Sequence, residues 1–349
     1  MRILIVSDAW HPQVNGVVRT ITRTAAALRQ MGEEVEVTGP DRHLSIPCPS
    51  YPEIRLALWP KRALRRVFDE FRPDALHIAT EGPLGVAARR ICRARGLRFT
   101  TAYHSQFPEY LEARTGIPAR LSYSYMRWFH GGSASVMVAT NSLERHLQGL
   151  GFRNMRRWSR GVDTAVFRPG PKTAIDLPRP IMLYAGRIAV DKNIEAFLEL
   201  DLPGSKLVVG DGPHLATLRE RYPKAHYTGY LEDEALAAHY RSADVMVFPS
   251  RTDTFGLVLL EALASGVPVA AYPAIGPVDV IADSGAGVLD EDLARAVRLA
   301  LAIDPKRCRE RALAYSWEAA SRQFLDNLVP ARDVVPAPFQ PRPSEAIHP

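Results

Sequence analysis

Cysteine is scarce in this 349-residue chain: Cys48, Cys92 and Cys308 are the only three, far apart and outside any CxxC or Cys/His spacing. That excludes a disulfide framework and a structural zinc, and it fits a reducing compartment. No run of about 18 apolar residues occurs, so no transmembrane helix is expected. The chain opens on Ile3-Leu4-Ile5-Val6, without the long apolar segment of a signal peptide. A soluble or peripheral cytoplasmic protein is the expectation. Compositional bias is missing too: 46% hydrophobic and 23% charged residues exclude disorder, collagen and coiled coil as the main theme. The length suits two domains, each able to bury its own core.

Lysine is rare as well, since 38 of the 44 basic residues are arginine. The net charge of +6 is unevenly spread. Residues 1–170 hold 25 basic against 14 acidic residues, or +11, whereas residues 171–349 hold 19 against 24, or −5. The surplus reflects either an arginine-rich composition or a first domain that meets something anionic: a membrane, a nucleic acid or an acidic substrate.

Short apolar runs alternate with helical patterns in both halves. Strands are expected at Arg2–Ser7, Glu34–Thr38, Ala75–Ala79, Arg98–Ala102 and Val136–Thr140. A second set falls at Ile181–Ala185, Lys206–Gly210, His226–Gly229, Asp244–Pro249, Val267–Tyr272 and Gly287–Leu289. Helical spacing marks Arg19–Met31, Ile194–Leu200, Glu234–Ser242 and Leu257–Ser265. Such alternation implies an α/β protein with two parallel, helix-wrapped sheets facing across a cleft. The pattern breaks at Arg168-Pro169-Gly170-Pro171 and Leu177-Pro178-Arg179-Pro180, which divides residues 1–170 from 171–315. From Val329 to Pro349 the chain is Pro-rich and reads as an unstructured tail.

A nicotinamide-dinucleotide fold would place GxGxxG after the first strand, and that motif is absent. A long loop instead ends in Asn15-Gly16 just before a helix, where Gly16 lets the backbone approach an anion or serves as a plain turn. After Ile181–Ala185 comes Gly186-Arg187-Ile188-Ala189-Val190-Asp191-Lys192, with a guanidinium fork and a point charge in one loop. Together they suit a diphosphate, unless the loop is merely solvated. Val209-Gly210-Asp211-Gly212-Pro213 closes another strand with a Gly-rich turn.

The most specific segment runs from Phe248 to Gly266. A helix is expected to begin near Thr254 or Phe255, with Thr254 as its cap and the amides of Phe255, Gly256 and Leu257 open to phosphate oxygens. Asp253 stands before that site and Glu261 lies on the helix, embedded in Leu259-Leu260-Glu261-Ala262-Leu263. Two carboxylates flanking a phosphate site fit a ligand with hydroxyls on both sides of a diphosphate, which describes a sugar nucleotide.

With these residues in view, the chain resembles GT-B nucleotide-sugar glycosyltransferases of the retaining family 4 type, from residue 1 to about residue 328. The markers are Asn15-Gly16-Val17, His104 in His104-Ser105-Gln106-Phe107-Pro108-Glu109-Tyr110, and Gly161-Val162-Asp163 with Phe167 and Pro169. They continue with Gly186-Arg187, Lys192, Gly210-Asp211-Gly212-Pro213 and an E-x7-E segment whose first acid is here Asp253. That variant is similar to the subgroup of bacterial GDP-mannose-dependent α-mannosyltransferases and glycosyldiacylglycerol (glucosyl or glucuronosyl) synthases. The resemblance implies two Rossmann-like, doubly wound domains and a helix at 316–328 crossing back to the first. By the same resemblance Arg187 and Lys192 neutralise the diphosphate, Asp253 holds sugar hydroxyls and Glu261 the ribose. His104 lies near the transferred sugar, Gly16 and Gly186 line the phosphate side, and Tyr230 contacts the base. No metal cofactor is implied; the nucleoside-diphosphate sugar is a co-substrate.

The acceptor is expected at the first domain. Lys61–Arg72 and Arg120–His130 combine cations with apolar residues at helical spacing. Either they meet an anionic lipid surface, or they pack their apolar faces inward and leave solvated arginines outside. The subgroup implies a membrane lipid such as diacylglycerol or a glycolipid, at the inner face of the cytoplasmic membrane. A soluble or polysaccharide-precursor acceptor stays open, as does an epimerase or hydrolase built on the same fold. A nucleic-acid partner is disfavoured, because no reader motif occurs and the carboxylate-flanked site would be unexplained.

Overall fold

The computed structural model describes residues 1–48, 51–172 and 175–332. The first domain supplies β1 (Arg2–Val6), β2 (Glu34–Thr38), β3 (Ser45–Cys48), β4 (Tyr51–Ala57), β5 (Ala75–Ile78), β6 (Thr100–Tyr103), β7 (Ser135–Val138) and β8 (Met155–Arg157). Its helices are α1 (Gly16–Gln30), α2 (Lys61–Phe71), α3 (Pro83–Ala94), α4 (Phe107–Thr115), α5 (Ala119–His130) and α6 (Asn141–Gly149). The second domain holds β9 (Ile181–Ala185), β10 (Ser205–Val209), β11 (His226–Gly229), β12 (Val245–Phe248), β13 (Val269–Ala271) and β14 (Gly287–Leu289). Around them lie α7 (Ile194–Leu198), α8 (Leu215–Arg221), α9 (Asp233–Ser242), α10 (Leu257–Ala264), α11 (Ile275–Ile281), α12 (Leu293–Ala300) and α13 (Pro305–Leu313). A last helix, α14 (Trp317–Asn327), follows.

Each domain is built on a six-stranded parallel sheet, ordered β2-β1-β5-β6-β7-β8 and β11-β10-β9-β12-β13-β14. Strands β5, β6, β7 and β12 are buried along their whole length, as parallel strands covered on both faces must be. Capping follows the side chains. Asn15 Oδ1 accepts from the amides of Val17 and Val18, both at 3.0 Å, and fixes the start of α1. Ser316 caps α14 through the Ala319 amide at 3.0 Å.

The antiparallel hairpin β3–β4 and the short β8 lie outside the expected strands. Pro47 and Pro52 hide the first, and two arginines in three residues hide the second. The apolar stripe of α2 faces inward, with Leu64 and Phe68 buried, so this helix presents its basic side to water. On α5, Tyr123, Met126 and Phe129 are buried, but Leu121, Tyr125 and Trp128 stay exposed beside Arg120 and Arg127.

After the second domain the chain returns. Helix α14 lies against α1, and Phe324 enters the core around Ile5, Ile21 and Trp158. The outgoing and returning segments cross closely: a Cβ on Gly161 would sit 2.3 Å from the Trp317 amide nitrogen. Beyond Val329, Ala331 is not loose. Its amide donates to Asp74 O at 2.7 Å, its carbonyl accepts from Arg98 at 2.9 Å, and its side chain is buried. The remainder of the Pro-rich stretch lies outside the described residues. No helix among the described residues is long and apolar enough to cross a membrane.

Candidate active site

In an open α/β sheet, ligands bind outside the carboxyl ends of the strands where the strand order reverses. In the second domain that point lies between β9 and β12, so the loops 186–193 and 249–256 run side by side. Lys192 Nζ donates to Asp253 Oδ1 at 2.7 Å, Thr252 Oγ1 to Asp191 O at 3.1 Å, and Asn193 Nδ2 to Pro249 O at 3.1 Å. Burial works against the Lys192 charge, yet Asp253, Tyr110 and Asp191 outweigh it and the ammonium pKa is raised. Asp253 Oδ2 is buried and takes no hydrogen bond among the described residues.

The glycines here answer to backbone contact. Gly186 and Gly210 have φ of +146° and +138°. A Cβ on Gly210 would lie 1.9 Å from Gly186 O, and one on Gly212 would lie 2.3 Å from Ile188 O. Both glycines let the 210–213 turn pack against the loop that carries Arg187, whose carbonyl accepts from Tyr184 Oη at 2.7 Å.

The helix after β12 starts later than its sequence suggests. Gly256, in the left-handed region at φ +85°, precedes α10, which begins at Leu257. Thr254 is not its cap: Thr254 Oγ1 donates to His104 O of the first domain at 2.6 Å. The Phe255 ring packs edge-on against Tyr315, with centroids 5.9 Å apart, in the second core. The helix start therefore lies at Gly256 and Leu257. Gly16 of α1 faces it across the cleft, where a Cβ would come 3.8 Å from Leu257 Cδ1.

Glu261 is 4% exposed. One of its oxygens pairs with Arg19 of α1, in the opposite domain, and the other accepts from Tyr240 Oη at 3.0 Å. Glu261 raises the pKa of Arg19, and burial together with Glu261 pushes that of Tyr240 far up. One turn along α1, Arg23 Nη1 lies 3.4 Å from Asp163 Oδ2. Between the domains is a cavity of about 160 Å³ lined by Arg19, Arg23, Asp163, Glu232, Leu257 and Glu261. Tyr230 stands beside it, 43% exposed, and donates its hydroxyl to Glu232.

On the first-domain side, Arg160 Nη2 donates to His104 Nδ1 at 3.4 Å, and the ring lies edge-on to Trp158. Burial, reinforced by the Arg160 charge, drives the His104 pKa well below its ordinary value, so the imidazole is neutral. The first sheet reverses order between β1 and β5, and there the chain fills its own crevice. Asp8 accepts from the amides of Leu84 at 2.8 Å and Gly85 at 3.2 Å, at the start of α3, and from Thr80 Oγ1 at 3.0 Å.

Family models for Glycosyltransferase Family 4 and Glycosyl transferases group 1 match residues 14–166 and 170–315. A GDP-mannose-dependent alpha-mannosyltransferase of Mycolicibacterium smegmatis is 32% identical over 317 residues, 83% of this chain and 84% of that protein. The chain is a family 4 type glycosyltransferase of GT-B fold. An alpha-monoglucosyldiacylglycerol synthase of Streptococcus pneumoniae is 27% identical to this glycosyltransferase, over 93% of this chain and 83% of the relative. Among solved structures, the sucrose-phosphate synthase of Thermosynechococcus elongatus superimposes with a TM-score of 0.76. It covers 93% of this chain and 97% of its own at 21% identity.

The sequence-predicted residues of this glycosyltransferase gather at two places. Lys192 and Asp253 meet beside the Arg187 loop, with His104 one hydrogen bond away through Thr254. Glu261 and Leu257 line the interdomain cavity, beside Tyr230. Sequence reasoning missed Arg19, Tyr110 and Tyr240, which touch the two acids or their flanks from a distance in sequence. Tyr110 sits inside the quoted His104–Tyr110 segment and Arg19 closes the first loop, but nothing in either position marks a partner more than 140 residues away. Among the described residues no cluster of three His, Cys, Asp or Glu is arranged to hold a metal ion.

Proposed function

We propose that this glycosyltransferase moves a hexosyl group, with retention of configuration, from a nucleoside-diphosphate sugar to a membrane lipid such as diacylglycerol or a glycolipid. The observation that carries the donor half is the Lys192–Asp253 pair at the second switch point, with a buried Asp253 oxygen left for a hydroxyl donor. In this reading Arg187, Lys192 and the start of α10 take up the charge of the diphosphate as it leaves. Asp253 accepts from the sugar, Glu261 from the ribose, and Tyr230 borders the base. Neutral His104 orients the transferred sugar by hydrogen bonding and does not act as an acid. The bond from the anomeric carbon to the phosphate oxygen breaks with its electron pair on the diphosphate. The acceptor hydroxyl attacks from that same face and passes its proton to the departing phosphate. Mannosyl, glucosyl and glucuronosyl donors all suit these groups.

The acceptor half is supported by the lipid product that one relative's name carries, alpha-monoglucosyldiacylglycerol synthase. It is supported also by the apolar strip Leu121, Tyr125 and Trp128 on α5, flanked by Arg120 and Arg127, and by the +11 charge of residues 1–170. The inward packing of α2 leaves that helix its basic side chains, Lys61 and three arginines, to offer such a surface. The protein would then work as a peripheral protein at the cytoplasmic membrane face.

The test is incubation with a panel of sugar nucleotides, each with diacylglycerol in anionic vesicles, with a soluble sugar acceptor, or alone. Glycolipid formed only with vesicles is the expected result. Transfer to the soluble acceptor, with no binding to anionic vesicles at low salt, would replace the lipid by a soluble acceptor. Donor conversion with no acceptor would point to an epimerase or hydrolase.

A further inference from the structure

Asp253 is pinned through both of its chain neighbours, and each neighbour is hydrogen-bonded to the other domain. On one side Tyr110 Oη, from α4, donates to Thr252 O at 3.1 Å. On the other, Thr254 Oγ1 donates to His104 O at 2.6 Å, while Thr140 Oγ1 donates to Thr254 O at 3.3 Å. The second domain adds Thr252 Oγ1 on Asp191 O at 3.1 Å, the Gly276 amide on Asp253 O at 3.1 Å and Lys192 on the carboxylate. The Tyr110 ring also lies 6.0 Å from Lys192 Nζ, and its phenol is buried, with its pKa raised to about 12 by that burial.

We propose that Tyr110 and Thr254 are positioning residues forming an interdomain seam, which sets the Asp253 carboxylate only when the two domains meet. The inference rests on the donor reading above and adds a condition to it. The charged groups that take the diphosphate, Arg187 and Lys192, and the start of α10 belong to the second domain and are present whether or not the domains touch. The residues on either side of the carboxylate that grips the sugar are held by hydroxyl and carbonyl groups of the first domain, which also receives the acceptor. Donor binding is thereby separated from donor activation. A sugar nucleotide can sit on the second domain with Asp253 unset, and it is cleaved only when the acceptor-bearing domain closes the seam and displaces water.

The test compares Tyr110→Phe, Thr254→Val and Thr254→Ser with the wild-type chain. Removing one buried hydroxyl hydrogen bond should lower kcat about tenfold in Tyr110→Phe and in Thr254→Val. The nucleoside-diphosphate dissociation constant should stay within about twofold, because Arg187, Lys192 and the start of α10 are untouched. Thr254→Ser, which keeps the hydroxyl, should restore kcat. Compaction on adding nucleoside diphosphate, read by small-angle X-ray scattering, should be reduced in the first two variants and normal in the third. Wild-type kcat in both Tyr110→Phe and Thr254→Val would overturn the seam while leaving the donor reading intact. So would a parallel loss of kcat and diphosphate affinity in both, the mark of a structural defect. A wild-type chain that binds no nucleoside diphosphate and transfers no sugar would overturn the donor reading, and the seam with it.

Discussion

Where β1 meets β5 the first domain closes its crevice with its own Asp8, whereas where β9 meets β12 the second domain leaves an ammonium and a half-satisfied carboxylate facing inward. The strand plan is similar, and each crevice opens near a helix start. The difference lies in what those starts meet. The Leu84 and Gly85 amides of α3 are spent on Asp8, and a Cβ on Gly82 would lie 2.4 Å from Asp8 Cγ, so nothing else fits. At α10 the Gly256 turn brings Leu257 to the cleft, with Lys192 and Asp253 on the neighbouring loops. Net charge points to the opposite side from these groups, since residues 1–170 carry +11 and the other half −5. A few placed groups decide where an anion sits, and bulk charge describes a surface.

The contrast is most open to attack at Lys192. Lys192→Ala should lower kcat/KM for the donor about 10²- to 10³-fold, as loss of one charge-stabilising group does. Asp8→Asn should leave it within about threefold, since a filled seat binds no substrate. Steady-state kinetics on both variants would break the comparison if the two effects were reversed.

Asp8 has its own signature in stability. Burial lifts its carboxyl from the ordinary 3.8 to about 6 in the folded chain. The folded state therefore favours the protonated acid, and the stability this gives at low pH is lost as pH rises through about 6. Relative to Asp8→Asn, the wild type should lose about 2 kcal/mol between about pH 4 and pH 7. Urea unfolding at several pH values measures this, and a flat difference would mean that Asp8 is not the plug.

The smallest effect is expected at the contact joining the two domains, Arg19 on Glu261. Arg19→Gln should raise the donor KM about tenfold, close to 1.4 kcal/mol, by removing the partner that holds the Glu261 carboxylate, the group we propose for the ribose, in place. With kcat nearly constant, it would sharpen the division we propose between a Glu261 end that binds and an Asp253 end that activates.

Much of this was legible in one dimension. Alternating apolar runs and helical stripes are local, so strands such as Ile181–Ala185 and Glu34–Thr38 could be read to the residue. Lys192, Asp253 and Glu261 stood out because charges in those apolar or Gly-rich settings need partners. The start of α10 was misplaced because Thr254 has the chemistry of a cap, and only the fold reveals that its hydroxyl is committed to His104. The hairpin was hidden by its prolines, and α2 was ambiguous because an amphipathic stripe does not say which face is covered. The partners of the two acids were out of reach for a plain reason: Arg19 and Glu261 are 242 positions apart.

The return of α14 has a bearing on how the molecule is assembled. Phe324 and Ala331 belong to the apolar cores of the first domain, although the chain reaches them only after the whole second domain. Domains that are continuous in sequence can close in the order in which they are synthesised. Here the leading domain stays unfinished, with the pocket around Trp158 and His77 lacking one aromatic wall, until the last helix arrives. The trailing domain, continuous from β9 to α13, can close before it. Birth order and completion order are reversed, and the step that completes the first domain is the same one that ties the two together.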